Sequence, residues 1–318
     1  MKKKNRMKKN DLYHNQRVQI NNIRYNQDNT LITLATSWGF RIISSKSFHL
    51  THVITNEITT LGFLSLASVF FSSRLILFVG DNLNGKYKRN KLIVYDIEFN
   101  KVISFITLQE NYYIIDFYIT KNLLFIILST QILVFDFLKF QIIQSIGNIN
   151  IGYKLFSCNH NDVIAYTIFK NNKHYIIIKN YNLKNNQVIS AENRRLLIPF
   201  EKIQAIQLSK SAQYIIVFSY LGNKIHIYYS DNGALKDCIF IGEHIFSIEN
   251  IEIYPHKEDS FFFLANDKML LFYLIDVEDL PCVCEPYKDE IILGRSLSFF
   301  GYIKSYFTKV FYFYNYFR

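Results

Sequence analysis

Eight histidines and four cysteines are the side chains in this chain best fitted to metal or nucleophilic chemistry. Their spacing serves neither. His14, His160, His174, His226, His244 and His256 are isolated, and only His49 and His52 come close together. In an extended strand a separation of three puts those two side chains on opposite faces, so they make no metal pair. Cys282-Val283-Cys284 has no second ligand pair at zinc spacing, and Cys158 and Cys238 lie far from it. Cysteines scattered this way argue against a disulfide framework and for a reducing compartment, the cytoplasm. Carboxylates fall where turns close (Asp28, Asp162, Asp259) or strands end (Asp96, Asp136). No G-x-x-x-x-G-K-[ST], H-E-x-x-H or G-x-S-x-G stretch occurs. The chain reads as non-catalytic, with no metal and no cofactor.

A different chemistry is written at the C-terminal end. Between Gly301 and Asn315 polar residues fall at Gly301, Lys304, Ser305, Thr308, Lys309 and Asn315. As a helix, that spacing leaves a broad aromatic face opposite two lysines, which suits a membrane interface. Phe299, Phe300, Tyr306, Phe307, Val310 and Phe311 are the expected membrane contacts. High β propensity over Val310–Phe317 supports a final strand instead, and both readings stand. Lys304 and Lys309 break the run as a transmembrane span.

The elements that must position any site follow a repeat. Apolar strand-like runs alternate with polar turns, and one kind of turn recurs six times. It appears at Tyr25–Asn29, Phe71–Arg74, Tyr118–Asn122, Cys158–Asp162, Leu208–Ser211 and Tyr254–Asp259. A spacing of roughly 40–50 residues is the period of a four-stranded propeller blade. The reading is therefore all-β, a WD-repeat-like β-propeller with six readable four-stranded blades.

The first blade reads as Ile20–Tyr25, Leu31–Thr36, Phe40–Ser45 and His52–Ile58. The second reads as Phe63–Phe71, Leu75–Gly80, Lys91–Asp96 and Val102–Leu108, with a long Gly- and Lys-rich loop at Asp81–Asn90. The third is the most regular: Ile114–Ile119, Leu123–Leu128, Ile132–Phe137 and Gln141–Ile146. The fourth, Tyr153–Ile189, is looser, with low-complexity loops at Asn171–Lys173 and Lys184–Asn186. The fifth reads as Ile203–Leu208, Tyr214–Ser219, Lys224–Tyr229 and Ala234–Phe240. The sixth begins Phe246–Ile253, Ser260–Ala265 and Met269–Ile275, after which the period fails and acidic, proline-bearing Glu278–Glu290 reads as a linker. Three regions result: a basic tail over 1–16, the blades over 17–277, and a final insertion with the aromatic segment over 278–318.

Composition sets the bounds. The 318 residues include 29 Phe and 23 Tyr, ample for packing sheet on sheet. With 4 Pro and 11 Gly, the turns must lean on Asn, Asp, Lys and Ser. The net charge of +10 points to anionic partners, yet Lys, Asn, Ile, Phe and Tyr are also the residues of A- and T-only codons. Lys2, Lys3, Lys4, Arg6, Lys8 and Lys9 form a disordered basic tail. It has no apolar stretch behind it, so it is not a secretory signal.

Several segments resemble one family. Ile20–Ile43, "INNIRYNQDNTLITLATSWGFRII", is similar to the first blade of the PROPPINs, WD-repeat-like propellers of autophagy that bind phosphatidylinositol 3-phosphate and 3,5-bisphosphate. Leu75–Ile97 resembles their second blade and Gln131–Phe137 their third. Arg295–Phe307, "RSLSFFGYIKSYF", looks like the insertion of their sixth.

The likeness implies a cytoplasmic scaffold, peripheral on phagophore, endosomal or vacuolar membrane. Its partners would be a phosphoinositide-containing membrane and autophagy-type proteins recruited through loops of blades two and three, with no nucleic acid. It implies a lipid site at the end of blade five, where Ser219 and Gly242 are kept and His226 and His244, with Lys224, are the substitute donors.

Two departures qualify the likeness. The family carries Arg-Arg-Gly after an aromatic or Leu at the end of blade five, and this chain reads Ile239-Phe240-Ile241-Gly242. The family's His after Ile-Pro falls at Phe200 or Glu201, and its Thr after the blade-five Ser at Asn223. Each charge-assisted Arg–phosphate contact contributes about 1.5–3 kcal/mol, so losing one per site lowers affinity by roughly one to two decades. The family also has a seventh blade, which the sequence ends without, as in a degenerate and C-terminally truncated member. Either a six-bladed ring, an open gap beside blade one, or a strand lent by Leu12–Ile20 would accommodate this. Two other functions compete with the lipid effector: a degenerate propeller that keeps only protein partners, and a generic WD-repeat scaffold of another pathway, such as RNA processing.

Overall fold

A computed structural model describes residues 19–45, 50–53, 61–147, 155–158, 162–184, 187–198, 202–209, 211–220, 224–240, 248–253, 260–265 and 270–274. The chain clusters into two compact units, divided after Thr107.

In the first unit β1 (Ile20–Tyr25), β2 (Leu31–Thr36), β3 (Gly39–Ser44) and β4 (Leu50–Val53) form one antiparallel sheet in sequence order. A second is built from β5 (Gly62–Val69), β6 (Leu75–Gly85), β7 (Lys91–Asp96) and β8 (Lys101–Thr107). The two pack face to face. Phe40 and Ile42 of the first meet Leu64, Ile76, Phe78 and Tyr95 of the second, with the Phe40 and Phe78 ring centroids 6.4 Å apart.

In the second unit the sheets are β9 (Asp116–Ile119) to β12, β13 (Phe156–Cys158) to β16, and β17 (Ile203–Leu208) to β20. Their inner members are β10 (Leu123–Ile127), β11 (Ile132–Asp136), β14 (Val163–Lys170), β15 (Lys173–Lys184), β18 (Tyr214–Ser219) and β19 (Lys224–Tyr229). Their last strands are β12 (Gln141–Ile146), β16 (Gln187–Ile198) and β20 (Leu235–Phe240). Three further strands, β21 (Ile248–Ile253), β22 (Ser260–Ala265) and β23 (Leu270–Leu274), make a sixth sheet. Each sheet again buries one face against the next: Leu123, Phe125 and Val134 against Phe156, Ile164 and Tyr181, then Ile176, Ile178 and Ile198 against Ile203, Val217 and Tyr228.

The same turn chemistry recurs in blades that share little sequence. After the first strand, a side-chain oxygen accepts the N–H that opens the second: Asn26 from Leu31 (2.9 Å), Thr120 from Leu123 (3.0 Å), Ser209 from Tyr214 (3.1 Å). After the third strand, Asp96 accepts from Glu98 and Phe99, and Asp136 from Leu138 and Lys139. Both of those turns close on a left-handed residue, Asn100 (φ 51) and Phe140 (φ 52).

Successive turns are also clasped to one another. The Asn26 amide donates to the Phe71 carbonyl at 2.8 Å, and Ser72 donates to Asp28 at 2.7 Å. Thr120 donates to Asp162, as does Asn122 at 3.2 Å. A blade turn that looks solvent-facing in sequence thus holds its neighbour.

Blade five follows the sequence reading closely, except that β20 begins at Leu235 rather than Ala234. Blade four does not. Asn171–Lys173 is no low-complexity loop: Asn171 (φ 52) and Asn172 (φ 56) form a two-residue turn, left-handed at both positions, as a type I′ hairpin needs. The last strand of that blade, β16, runs on to Ile198, well past the expected Ile189. In blade two, β6 takes up half of the expected loop by running to Gly85. The sixth sheet has three strands among the described residues, close to the three that the sequence reading located. The basic tail over 1–16 and the segment over 278–318 lie outside the described residues.

Candidate functional site

The end of blade five carries Ser219 on β18 and two of the expected donors, Lys224 and His226, on β19, which pairs with it. Ser219 closes β18, is 8% exposed, and accepts the Lys224 backbone N–H at 3.2 Å. It therefore holds the start of β19. His226 pairs with Val217 on one side and Cys238 on the other. Lys224 pairs with Phe240, so Lys224 and His226, two apart, share the strand face that continues to Tyr228.

The electrostatics of this end are weaker than the residue types suggest. Lys224 is exposed. His226 is half-buried, with Nδ1 2.9 Å from the Tyr228 hydroxyl. Burial, and then the nearby Lys224 charge, push the His226 pKa below its ordinary 6.5. Burial raises the Tyr228 phenol to about 12, so it stays protonated and can share that hydrogen bond as donor. His226 at neutral pH is thus an uncharged hydrogen-bonding group. Gly242 and His244 lie outside the described residues, as do Phe299, Phe300, Tyr306, Phe307, Val310 and Phe311.

Sequence reasoning found the loop after β6 but not its geometry. The chain folds back so closely that a Cβ on Gly80 would lie 1.8 Å from the Tyr87 carbonyl oxygen. The half-buried Tyr87 ring packs 5.5 Å from Phe78, and Arg89 donates its N–H to Asn82 at 2.9 Å. Anchored at Tyr87, the loop presents Lys86 and Lys88 to solvent. The glycine in "FVGDN" is the only sequence signal of that close approach.

Among the described residues no group of three His, Cys, Asp or Glu side chains could hold a metal ion. No helix there is long and apolar enough to cross a membrane.

No protein-family model matches the sequence. Solved structures do match the fold. Kluyveromyces lactis Hsv2 superposes with a TM-score of 0.65 at 15% identity, covering 82% of this chain and 76% of its own. KlAtg21, solved in complex with the coiled-coil of AgAtg16, gives 0.63 at 16% identity over 81% of this chain and 82% of its own. The Dos1 propeller gives 0.54 at 8% identity, with 82% and 67% covered. Hsv2 and Atg21 are PROPPINs, and the fold of this chain is PROPPIN-like: an all-β propeller type, as its repeat implies.

Proposed function

We propose that the chain is a non-enzymatic propeller scaffold that works peripherally on phosphoinositide-bearing membranes, in the manner of autophagy and endosomal-traffic effectors, with weak lipid affinity of its own. The PROPPIN-like fold supports the scaffold part. The pairing of Lys224 with Phe240 carries the lipid part. It puts one exposed cation at the end of blade five, opposite the position that in the family's motif is arginine. One Lys and a neutral His can receive a phosphate, though at a fraction of the strength of two bidentate guanidinium groups. Gly242 and His244 complete this proposed site. The aromatic residues Phe299, Phe300, Tyr306, Phe307, Val310 and Phe311 are the proposed membrane contacts, and the proposed location is the cytoplasmic side of phagophore, endosomal or vacuolar membrane.

Co-sedimentation with phosphatidylcholine vesicles, with and without phosphatidylinositol 3-phosphate, tests the reading. A small but reproducible gain from the phosphoinositide is expected. No gain, together with no effect of Lys224→Ala, would leave protein scaffolding alone.

The protein-only reading has its own support in the anchored loop after β6. A loop fixed by Gly80 and Tyr87 loses little conformational entropy on docking, and Lys86 and Lys88 favour an acidic surface. KlAtg21 was solved bound to a coiled coil, and an acidic coiled coil is the kind of partner this loop would fit.

A further inference from the structure

The hairpin that joins β14 to β15 carries an unusual tip. Its last rung pairs Lys170 with Lys173 directly across the Asn171-Asn172 turn. Like charges on directly opposed residues repel and destabilise a hairpin. Among the described residues neither lysine meets a carboxylate. One rung behind, Phe169 pairs with His174, their ring centroids 4.7 Å apart, and Phe169 is 60% exposed. Cations stand on one face of the tip and an aromatic pair on the other, because side chains alternate along a strand.

The neighbouring blade repeats the pattern at the same end. Ile198, which closes β16, and Ile203, which opens β17, share one core cluster, so the hairpin end of blade four meets the start of blade five. There the Tyr220 N–H donates to the Lys202 carbonyl, and the Lys202 ammonium lies 5.1 Å from the Tyr220 ring centroid. Tyr220 is 56% exposed. Among the described residues, 168–175, 194–198, 202–204 and 218–220 contain no Asp or Glu; Glu201 lies outside the described residues. The carboxylates Asp162 and Asp231 belong to turns at the opposite end of these strands.

We propose that this end of blades four and five, with the Phe169–His174 hairpin tip as its projecting part, is a contact for anionic lipid surfaces that needs no phosphoinositide headgroup. Two cations beside an exposed aromatic ring complement an anionic headgroup layer. Phe169 and Tyr220 then sit at the headgroup level, where aromatic rings are favoured. Lys170 and Lys173 gain a counter-charge that no described residue supplies, and each adds to attraction toward an anionic surface. The inference rests on the membrane part of the reading above and adds the blade-four hairpin as a second contact beside the Lys224–Phe240 pair, at the same end of the strands.

The test uses the full chain and vesicles of phosphatidylcholine with about one-fifth phosphatidylserine, free of phosphoinositide. Binding is expected, weakening as salt is raised. It should fall about tenfold or more in Lys170→Glu/Lys173→Glu, and several-fold in Phe169→Ser. Far-UV circular dichroism and the urea midpoint should stay unchanged, since the tip is exposed. Wild-type-like binding by both variants overturns the hairpin proposal and leaves the membrane reading intact. Loss of phosphoinositide response in Lys224→Ala with hairpin variants unaffected does the same. Failure of the wild type to bind any vesicle overturns both, and binding to single-stranded RNA but not to vesicles reassigns the patch to nucleic acid.

Discussion

Lys224 and Phe240 pair directly across the β19–β20 ladder, an exposed cation opposite an apolar residue. On the proposed lipid reading, the cation on β19 has no second charge opposite it on β20. Phe240→Arg/Ile241→Arg should therefore raise binding to phosphatidylinositol 3-phosphate vesicles by about tenfold or more. The new Arg opposite Lys224 should lower stability slightly in the absence of lipid, by roughly 0.2–1 kcal/mol, through like-charge repulsion. Unchanged vesicle binding would show that the rim no longer forms a phosphate site.

His226 makes stability respond to pH. Its folded pKa lies below 6.5, mainly through burial. The unfolded chain then binds the proton first as pH falls, so the His226 contribution is full above the unfolded value and is lost as pH drops through the folded one. His226→Gln removes this titration while leaving a group that can meet the Tyr228 hydroxyl. Urea midpoints measured from about pH 7.5 to about pH 5 should converge for wild type and variant at the acid end, the wild type falling more steeply. Parallel curves would place the histidine outside the linkage.

Much of this arrangement was legible in the residues. Turn clusters such as Tyr25–Asn29 and Leu208–Ser211 announced their hairpins because Asn and Ser accept backbone N–H groups locally. Blade five was readable because its strands are short apolar alternations with breakers between them. Blade four was not. Its strands carry Lys, Asn and Arg well inside their length, so β16, with Asn193, Arg194 and Arg195, does not look like a strand until β15 pairs with it. The fold-back at Gly80 and the neutral bias of His226 arise from contacts distant in sequence or from burial, which composition does not record.

The fold-back gives a contrast between two glycines. At Gly80 a Cβ meets the Tyr87 carbonyl at 1.8 Å, while at Gly147 it meets nothing within 4 Å. Gly80→Ala must push the loop off β6 and disturb the Phe78–Tyr87 contact, at about 1–3 kcal/mol. Gly147→Ala should be neutral or slightly stabilising, by up to about 1 kcal/mol. Urea unfolding checks both. Limited trypsin digestion should cut faster at Lys86 and Lys88 in Gly80→Ala alone, and equal cutting in the two variants would mean the loop is not anchored there.

Thr120 and Asp162 clasp the turns of blades three and four, and the pair sets two opposed expectations. Thr120 is fully buried, donates to the Asp162 carboxylate and accepts the Leu123 N–H at 3.0 Å. Thr120→Val strips both bonds at constant shape and should cost about 1–3 kcal/mol. Asp162 is different, because burial raises its pKa against the lowering effect of its bonds from Thr120 and Asn122. Its contribution to stability is full below the unfolded value of 3.8 and is lost as pH rises through the folded one. Asn fits the left-handed backbone there (φ 59), still accepts from Thr120, and Asn122 can turn its amide to suit. Asp162→Asn should then gain on the wild type as pH rises from about 4 to about 7, read as urea midpoints. A variant weaker by the same margin across that range would mean that the charged hydrogen bonds outweigh the cost of burying the carboxylate, and that the clasp depends on the negative charge.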